Sequence, residues 1–335
     1  MQRPKITLAC RHYDGTSALI RGRVQLPGFE LDVVETDNVA GMFTDMFEGK
    51  YDVSEMSLAE LIYYVSRGNN DFTGIPVFPS RFFRHGFLLY NTASGIRSAH
   101  ELSGKRIGFL RWVQTAAIWI RGTLIDEYGV SPKDTQWYVA SMHHWKEGKD
   151  HDAIQPRNGA AIREIQGQKD PHEVIYQALL EGKIDVLGTT ENESFAKKPS
   201  PSIRRLFENP KEVEVGYFQK TRIFPIMHVM VVRNSVAEKY PDLPEKLFRL
   251  FSDAKKMGRE WLQGHPSMGL AWKDHYLEQE KEFFGCDPWA YGLMPNEHVL
   301  NRFVKYCYDE GIAAKEIRLQ DLFFPGTLKL AETDT

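Results

Sequence analysis

Short apolar runs alternate with longer amphipathic segments along the first two thirds of the chain. Short runs predict strands, and segments with apolar residues three or four positions apart predict helices. In the first part of the chain, the pattern predicts strands at residues 6–9, 30–35 and 52–56 and helices at residues 39–47 and 58–67. Strands that alternate with helices form βαβ units, so we expect a parallel sheet.

A second series of the same kind follows. It predicts strands at residues 106–110, 137–139 and 184–188 and helices at residues 115–128 and 171–181. We interpret this series as a second α/β lobe. The last third of the chain is predicted to be helical, because its apolar residues have the spacing of a buried helix face. These residues are Leu247, Leu250, Phe251, Ala254, Met257 and Trp261, followed by Val299, Phe303 and Tyr306.

Two distant segments share one pattern. HGFLLYN at residues 85–91 and HVMVVRN at residues 228–234 both have a histidine, three apolar residues and a final asparagine, and a Phe-Pro pair precedes each. We expect a two-lobed α/β fold of the type II periplasmic-binding-protein kind, in which two such strands cross as a hinge beside a ligand cleft. Residues 1–90 and 227–335 would then form a discontinuous first lobe, and residues 91–226 an inserted second lobe. Chance similarity of two apolar strands is the alternative.

Charge and cysteine usage exclude several classes of function. The 335 residues include 42 Lys and Arg against 45 Asp and Glu, a net charge of −3, so there is no surplus of cations for nucleic acid or an anionic membrane. Cys10, Cys286 and Cys307 form no C-x-x-C pair and indicate a reducing compartment. The start, MQRPKITLAC, lacks the pattern of a signal peptide. We therefore expect a cytoplasmic protein without a nucleic-acid or membrane partner.

A local excess of cations begins just before the first of the paired segments. Arg81, Arg84 and His85 lie within VFPSRFFRHGFLLYN, and residues 81–111 contain four further Lys or Arg but only one acid. Arginine suits a carboxylate because its planar guanidinium can bond both oxygens. We expect an anion site here. The alternative is that both arginines are solvated and that His85 caps a strand edge.

Five segments carry a resemblance to a known family. They are YDVSEMSLAEL (51–61), IPVFPSRFFRH (75–85), QTAAIWIRGTLIDEYGV (114–130), IFPIMHVMVV (223–232) and GCDPWAYGLMPN (285–296). Together they resemble the 4,5-dihydroxyphthalate decarboxylase family. The resemblance implies a cytoplasmic carboxy-lyase that removes one carboxylate from an aromatic dicarboxylate to give protocatechuate. The chain differs from the residues expected in the family at Phe83, Gly86-Phe87 and Ala59-Glu60. These differences could change which aromatic acid fits the substrate site.

Such a reaction needs an acid to protonate the ring and a base to take a phenolic proton. Histidine titrates near neutral pH, so His85 and His228 are the candidate acids. Glu55 is the first candidate base, because the strand ends of a parallel sheet meet the ligand crevice. Asp14, in the loop after the first strand, is the second. Pairing with an arginine is the alternative role for Glu55.

Eight positions, some of them already named, are expected to bind the substrate. They are Arg81, Arg84, Ser57, Asp14, His12, Gln114, Thr115 and Glu191. Ser57, Gln114 and Thr115 stand at the starts of predicted helices, whose free N–H groups attract anions. His12 lies in the loop after the first strand, and Glu191 follows the strand at residues 184–188.

The sequence predicts no cofactor. His143, His144 and His151 lie in a polar, lysine-rich run without metal-ligand spacing, and a divalent cation that bridges two substrate hydroxyls is left open. Trp112 and Arg121 are expected to have packing and salt-bridge roles.

Two classes of function stay open. One is the decarboxylase, and the other is a solute-binding protein that delivers an aromatic acid. The paired histidines and the absence of an export signal favour the enzyme. The partner is a small aromatic carboxylate in both cases, and assembly into a homo-oligomer is left open.

Overall fold

The strands of the protein form two separate sheets. The computed structural model describes residues 3–69, 71–141, 154–167, 170–190, 200–264 and 269–332. The first sheet consists of β1 (Lys5–Cys10), β2 (Glu30–Glu35), β3 (Val53–Ser57), β4 (Phe72–Ile75) and β11 (His228–Arg233), in the order β2-β1-β3-β11-β4. β1 is parallel to β2 and β3, whereas β11 is antiparallel to β3 and β4.

The second sheet has the same plan. It consists of β5 (Leu88–Asn91), β6 (Arg106–Phe109), β7 (Gln136–Val139), β8 (Ala161–Glu164), β9 (Val186–Gly188) and β10 (Ile203–Arg205), in the order β10-β5-β9-β6-β7-β8. β9, β6, β7 and β8 are parallel, and β5 is antiparallel to both of its neighbours. Each sheet therefore combines a parallel set with one strand that enters from a segment crossing between the sheets. The lobe boundaries near residues 90 and 227 stay a prediction.

The helices connect and cover these sheets. They are α1 (Asp14–Ile20), α2 (Val39–Phe47), α3 (Leu58–Ser66), α4 (Thr115–Tyr128), α5 (Pro171–Leu180), α6 (Pro210–Thr221), α7 (Asn234–Lys239), α8 (Leu243–Gly264), α9 (Lys273–Phe284) and α10 (Glu297–Asp309). The predicted βαβ series is confirmed, with bounds within about two residues for most elements. None of the described helices combines the length and the apolar character needed to cross a membrane.

Helix α4 joins the two halves of the protein. Every residue from its start to Leu124 is buried, as expected for a helix that is packed on all sides. The ring of Trp119 stacks on Phe303 of α10, with centroids 5.0 Å apart. A Cβ on Gly122 would lie 2.3 Å from the ring of Tyr306, so only glycine allows this close approach of α4 and α10. The apolar core is consequently continuous from the first sheet through α4 to the second.

Two segments, residues 76–87 and 206–227, cross between the sheets and touch each other. The N–H of Met227 donates to the carbonyl of Ser80 at 2.8 Å, and the N–H of Phe82 donates to the carbonyl of Pro225 at 3.1 Å. The two segments are therefore hydrogen-bonded to each other where residues 80–82 meet residues 225–227, and the second segment leads directly into His228.

The two paired segments differ in one respect from the sequence prediction. The strand at His228–Arg233 is confirmed, but His85–Phe87 form a 3₁₀ turn and only Leu88–Asn91 continue as a strand. Gly86 explains the difference, because glycine disfavours a strand and its N–H donates instead to Glu214 at 3.3 Å.

Candidate functional site

The carboxylate of Glu55 is the centre of a buried polar cluster in β3. Its side chain is fully buried. Oε1 accepts a hydrogen bond from the hydroxyl of Tyr13 at 2.7 Å and lies 2.5 Å from Nδ1 of His228. Oε2 accepts the backbone N–H of Arg11 at 3.0 Å. Both oxygens are thus occupied by donors.

Strand pairing brings these residues together. In the antiparallel pair β3–β11, His228 is opposite Ser57, so its side chain is a diagonal neighbour of Glu55 on the same face. The parallel pairing of β1 with β3 places the loop that follows β1, with Arg11 and Tyr13, on the other side of the carboxylate. A buried acid in this position therefore receives donors from two different segments.

The cluster favours the ionised form of Glu55. Burial acts to raise the pKa of this carboxyl, but the hydrogen bond and charge of His228, together with the Arg11 and Tyr13 donors, lower the pKa below its usual value. Burial, reinforced by the negative charge of Glu55, raises the pKa of Tyr13 far above its usual value. Tyr13 therefore stays protonated and donates to a carboxylate anion.

His228 is the partly exposed partner of Glu55. Its side chain is 17% exposed, and the edge of the Phe43 ring packs against the imidazole with centroids 5.5 Å apart. The carboxylate at Nδ1 favours the tautomer with the proton on that nitrogen. Among the residues that the structure describes, none forms a hydrogen bond with Nε2. Nε2 is therefore the nitrogen that can meet a ligand.

Two helix N-termini meet beside His228. Ser57 immediately precedes α3, and Thr115 is the first residue of α4; their hydroxyl oxygens lie 2.8 Å apart. The Thr115 oxygen also accepts the N–H of Ala59 in the first turn of α3, at 3.0 Å. Gln114 precedes α4 without capping it through its side chain. The predicted grouping of Ser57, Gln114 and Thr115 is thus present, and it creates a region that attracts negative charge.

Arg84 supplies a buried cation near the same place. Its Nε lies 3.2 Å from Sδ of Met227, the residue before His228, and its Nη1 lies 3.4 Å from the carbonyl of Thr190. Burial lowers the pKa of Arg84 to about 9, and the charge of Glu214 opposes this shift. No described carboxylate forms an ion pair with the guanidinium within 4 Å.

Arg81 contacts a different part of the protein from Arg84. Its Nη2 donates to the carbonyl of Ala290 at 3.1 Å and to Oδ1 of Asn296 at 2.5 Å. Burial lowers the pKa of Arg81 to about 10, while the charges of Asp287, Tyr291 and Glu332 oppose the shift. The segment before α10 packs over the first crossing segment and engages one side of this guanidinium, whereas Nε has no hydrogen-bond partner among the described residues. The role of Arg81 in substrate binding stays a prediction.

His85 is also separated from the Glu55 cluster. Its ring packs against Phe207 and Tyr217, with centroids 5.2 Å from each, and near Tyr128 at the end of α4. Burial lowers the pKa of His85 to about 4, and neither ring nitrogen has a hydrogen-bond partner. The turn at Gly86 directs this ring toward α4 and α6, where it lines a cavity of about 10 Å³. The structure does not bring His85 to His228.

The remaining candidates are on the periphery or outside the described residues. Nδ1 of His12 lies 3.0 Å from Oε1 of Glu35 at the exposed ends of β1 and β2. Asp14 is exposed at the start of α1, and its side chain forms no hydrogen bond or ion pair with another described residue. Tyr13, which the sequence did not single out, is the residue of this loop that reaches Glu55. Glu191 lies outside the described residues, as do His143, His144 and His151.

The structural roles expected for Trp112 and Arg121 are confirmed. Nε of Arg121 donates to Oε2 of Glu310 at 2.9 Å, and Nε1 of Trp112 donates to the carbonyl of Glu310 at 3.2 Å. In the part of the chain that the structure describes, no three His, Cys, Asp or Glu side chains are arranged to hold a metal ion.

The two sheets, the crossing segments and the polar site beside them define a two-lobed α/β protein of the periplasmic-binding-protein fold. The chain is similar to the periplasmic aliphatic sulphonate binding protein SsuA of Escherichia coli, with a TM-score of 0.53, 12% identity and coverage of 97% of this chain and 99% of that chain. It is also similar to a Candida albicans protein described as having the generic periplasmic binding protein fold, with a TM-score of 0.51, 12% identity and 98% coverage of both chains.

Closer relatives are found by sequence. The chain is 29% identical to 4,5-dihydroxyphthalate decarboxylase of Comamonas testosteroni, over 98% of this chain and 99% of that protein. It is 31% identical to 4,5-dihydroxyphthalate decarboxylase of Pseudomonas putida over 137 residues, which are 41% of this chain and 53% of that protein. No protein-family model matches the chain. The resemblance carried by the five sequence segments is thereby confirmed.

Proposed function

We propose that this protein is a carboxy-lyase that removes one carboxylate, without oxidation, from a hydroxylated aromatic dicarboxylate. The proposed substrate is 4,5-dihydroxyphthalate, the compound in the names of both relatives. Loss of one carboxylate converts it to protocatechuate. The observation that carries the proposal is the 2.5 Å contact between His228 Nδ1 and buried Glu55, which leaves Nε2 free to exchange a proton beside an anion-attracting region.

The substrate dianion would be held by one cation and by the start of α4. Arg84 can bond a carboxylate with its planar guanidinium. The first N–H groups of α4 are left unpaired by the helix, and the linked hydroxyls of Ser57 and Thr115 have one proton left to donate to the other charge. The N–H groups of Leu58 and Ala59 in α3 are already accepted by Met227 and Thr115. Because Ser57 is opposite His228 in the strand pair, a ligand bound there lies beside the imidazole.

His228 would act as the acid. In its protonated form it transfers the Nε2 proton to the ring carbon that carries the leaving carboxylate. The bond from that carbon to the carboxylate then breaks, carbon dioxide leaves, and the released electron pair restores the aromatic ring. One proton is consumed per turnover, and neutral His228 regains it from water. The hydroxyl para to this carbon assists by pushing electron density onto it.

The role of Glu55 differs from the one that the sequence suggested. Both of its oxygens are engaged by His228, Tyr13 and Arg11, and its side chain is fully buried. It would therefore not take a phenolic proton from the substrate directly. Instead it would orient the imidazole and fix its tautomer, as a carboxylate behind a catalytic histidine does.

Non-catalytic binding of an aromatic acid is the second candidate, and the likeness to SsuA favours it. A binding protein needs the cation and the start of α4, but it has no use for a carboxylate-backed histidine. The two candidates differ in whether the bound ligand is consumed.

Incubation of the protein with 4,5-dihydroxyphthalate tests the proposal. We expect release of carbon dioxide and appearance of protocatechuate, followed by gas analysis and chromatography. Phthalate, which lacks the hydroxyls, is the control and should bind without turnover. A parallel incubation with EDTA tests whether a divalent cation takes part. Tight binding of 4,5-dihydroxyphthalate that leaves it unchanged would replace the carboxy-lyase with the binding protein.

A further inference from the structure

The loop after β1 adds a third residue to the Glu55–His228 pair. The hydroxyl of Tyr13 lies 2.7 Å from the same carboxylate oxygen that faces Nδ1 of His228. We propose that Tyr13 is a positioning residue: it holds the Glu55 carboxylate so that His228 keeps its proton on Nδ1 and presents Nε2 to the substrate. Only the predicted effects on kcat, KM and the pH profile rest on the proposed function; the tautomer of His228 does not.

The backbone of Tyr13 is fixed by its own loop. Its N–H donates to the hydroxyl of Thr16 at 2.8 Å, and that hydroxyl donates to the carbonyl of Arg11 at 2.7 Å. Thr16 is fully buried. The N–H of Arg11 in turn donates to the second oxygen of Glu55, at 3.0 Å. The loop therefore donates a hydrogen bond to each oxygen of the carboxylate, to Oε2 from the backbone of Arg11 and to Oε1 from the phenol of Tyr13.

The Oε1 atom of Glu55 is contacted by two side-chain donors from different parts of the chain. The phenol of Tyr13 donates to it at 2.7 Å. Nδ1 of His228 donates to the same carboxylate from the opposite side. Every donor thus points toward Glu55, an arrangement that prevents the carboxylate from rotating away from the imidazole.

Replacement of Tyr13 by Phe removes the hydroxyl and keeps the ring. We expect kcat to fall about tenfold, because one hydrogen bond to a charged group is lost, while KM changes less than twofold. The acid limb of the kcat/KM profile should move to higher pH, since Glu55 loses a donor that lowers its pKa. A purely structural role would leave that limb in place.

Tyr306 offers a matched control. Its hydroxyl also bonds a carboxylate, Asp126, at 2.5 Å, but at the contact between α10 and α4. Tyr306→Phe should lower the melting temperature and leave the acid limb of the profile unchanged. Equal profiles for Tyr13→Phe and Tyr306→Phe would overturn the assignment.

Nitrogen NMR of the ¹⁵N-histidine-labelled protein tests the same inference without turnover. The His228 signals are assigned by their loss in His228→Gln. We expect a protonated Nδ1 in the neutral ring of the unmodified protein and a mixture of tautomers in Tyr13→Phe.

An unchanged tautomer in that variant contradicts the positioning role, even if decarboxylation is normal. A shifted tautomer in a protein that turns over no dicarboxylate would uphold it and refute the carboxy-lyase. Should Tyr13→Phe not fold, Thr16→Val removes the hydroxyl that fixes the backbone of Tyr13 and is expected to shift the tautomer in the same direction.

Discussion

The hydroxyl groups of Ser57 and Thr115 lie 2.8 Å apart and join the first turn of α3 to the first turn of α4. Ser57 ends β3 of the first sheet, whereas Thr115 follows β6 of the second. The contact therefore spans the two halves of the protein. It also positions the start of both helices beside His228, which is opposite Ser57 in the strand pair.

Removal of the Thr115 hydroxyl tests the importance of this contact. Thr115→Val deprives the N–H of Ala59 of its acceptor, so we expect a loss of about 1 kcal/mol in the free energy of unfolding. KM for the dicarboxylate should rise, because the anion-attracting region loses a donor. Urea unfolding and steady-state kinetics measure the two effects.

Thr135 provides the matched control for this substitution. It is as buried as Thr115, at 3% exposure each, but its hydroxyl oxygen has no hydrogen-bond partner. Thr135→Val should be neutral or stabilising. Equal losses of stability in the two variants would mean that the Thr115 hydroxyl bond contributes nothing.

Arg84 and Arg81 are expected to respond differently to the same change. Arg84→Met removes a buried cation that has no described carboxylate partner, so KM should rise tenfold or more with stability unchanged or improved. Arg81→Met leaves Oδ1 of Asn296 and the carbonyl of Ala290 without their donor. It should lower the free energy of unfolding by about 1–3 kcal/mol without affecting KM.

Isothermal titration with the dicarboxylate and chemical unfolding distinguish these two arginines. A rise in KM for Arg81→Met with normal affinity in Arg84→Met would reverse their assignments.

His85 should make stability depend on pH below neutrality. Burial lowers the pKa of its imidazole from 6.5 to about 4. Between these two pH values the imidazole is protonated in the unfolded chain but neutral in the folded protein. The free energy of unfolding therefore falls as the pH drops from about 6.5 toward 4, by about 2 kcal/mol at pH 5 from this group alone. His85→Leu should remove this part of the pH dependence and leave stability at pH 7 equal or higher.

Unfolding curves at pH 7 and pH 5 for both proteins provide the comparison. If the free energy of unfolding fell by the same amount between pH 7 and pH 5 in His85→Leu and in the unmodified protein, the pKa of the imidazole would not be lowered in the folded state.

The fold follows from local patterns to a large extent. The strand at Lys5–Cys10 and the helix Val39–Phe47 were predicted because their apolar residues repeat with the period of their element. The short strands at Phe72–Ile75 and Ile203–Arg205 were not, since three or four residues carry too little periodicity. The crossing was anticipated from the pair of similar segments, although Gly86 shortens the first of its strands.

The site was less predictable, because it depends on contacts between distant segments. Glu55 and His228 were both candidates, but only the β3–β11 register pairs them across 173 positions of the chain. Tyr13 was missed because an isolated loop tyrosine has no signature until β1 pairs with β3. Arg81 and Arg84 are identical in type and three positions apart, and only their tertiary partners distinguish them.

The most direct measurement of the central claim is the rate of carbon dioxide release from 4,5-dihydroxyphthalate by the unmodified protein, His228→Gln and His85→Leu. We expect turnover in the unmodified protein and His85→Leu, and a rate at least about 100-fold lower in His228→Gln, since proton transfer by a positioned group contributes about that much or more. Calorimetry should show that His228→Gln still binds the substrate. Full activity of His228→Gln would contradict the assignment of His228 as the proton donor.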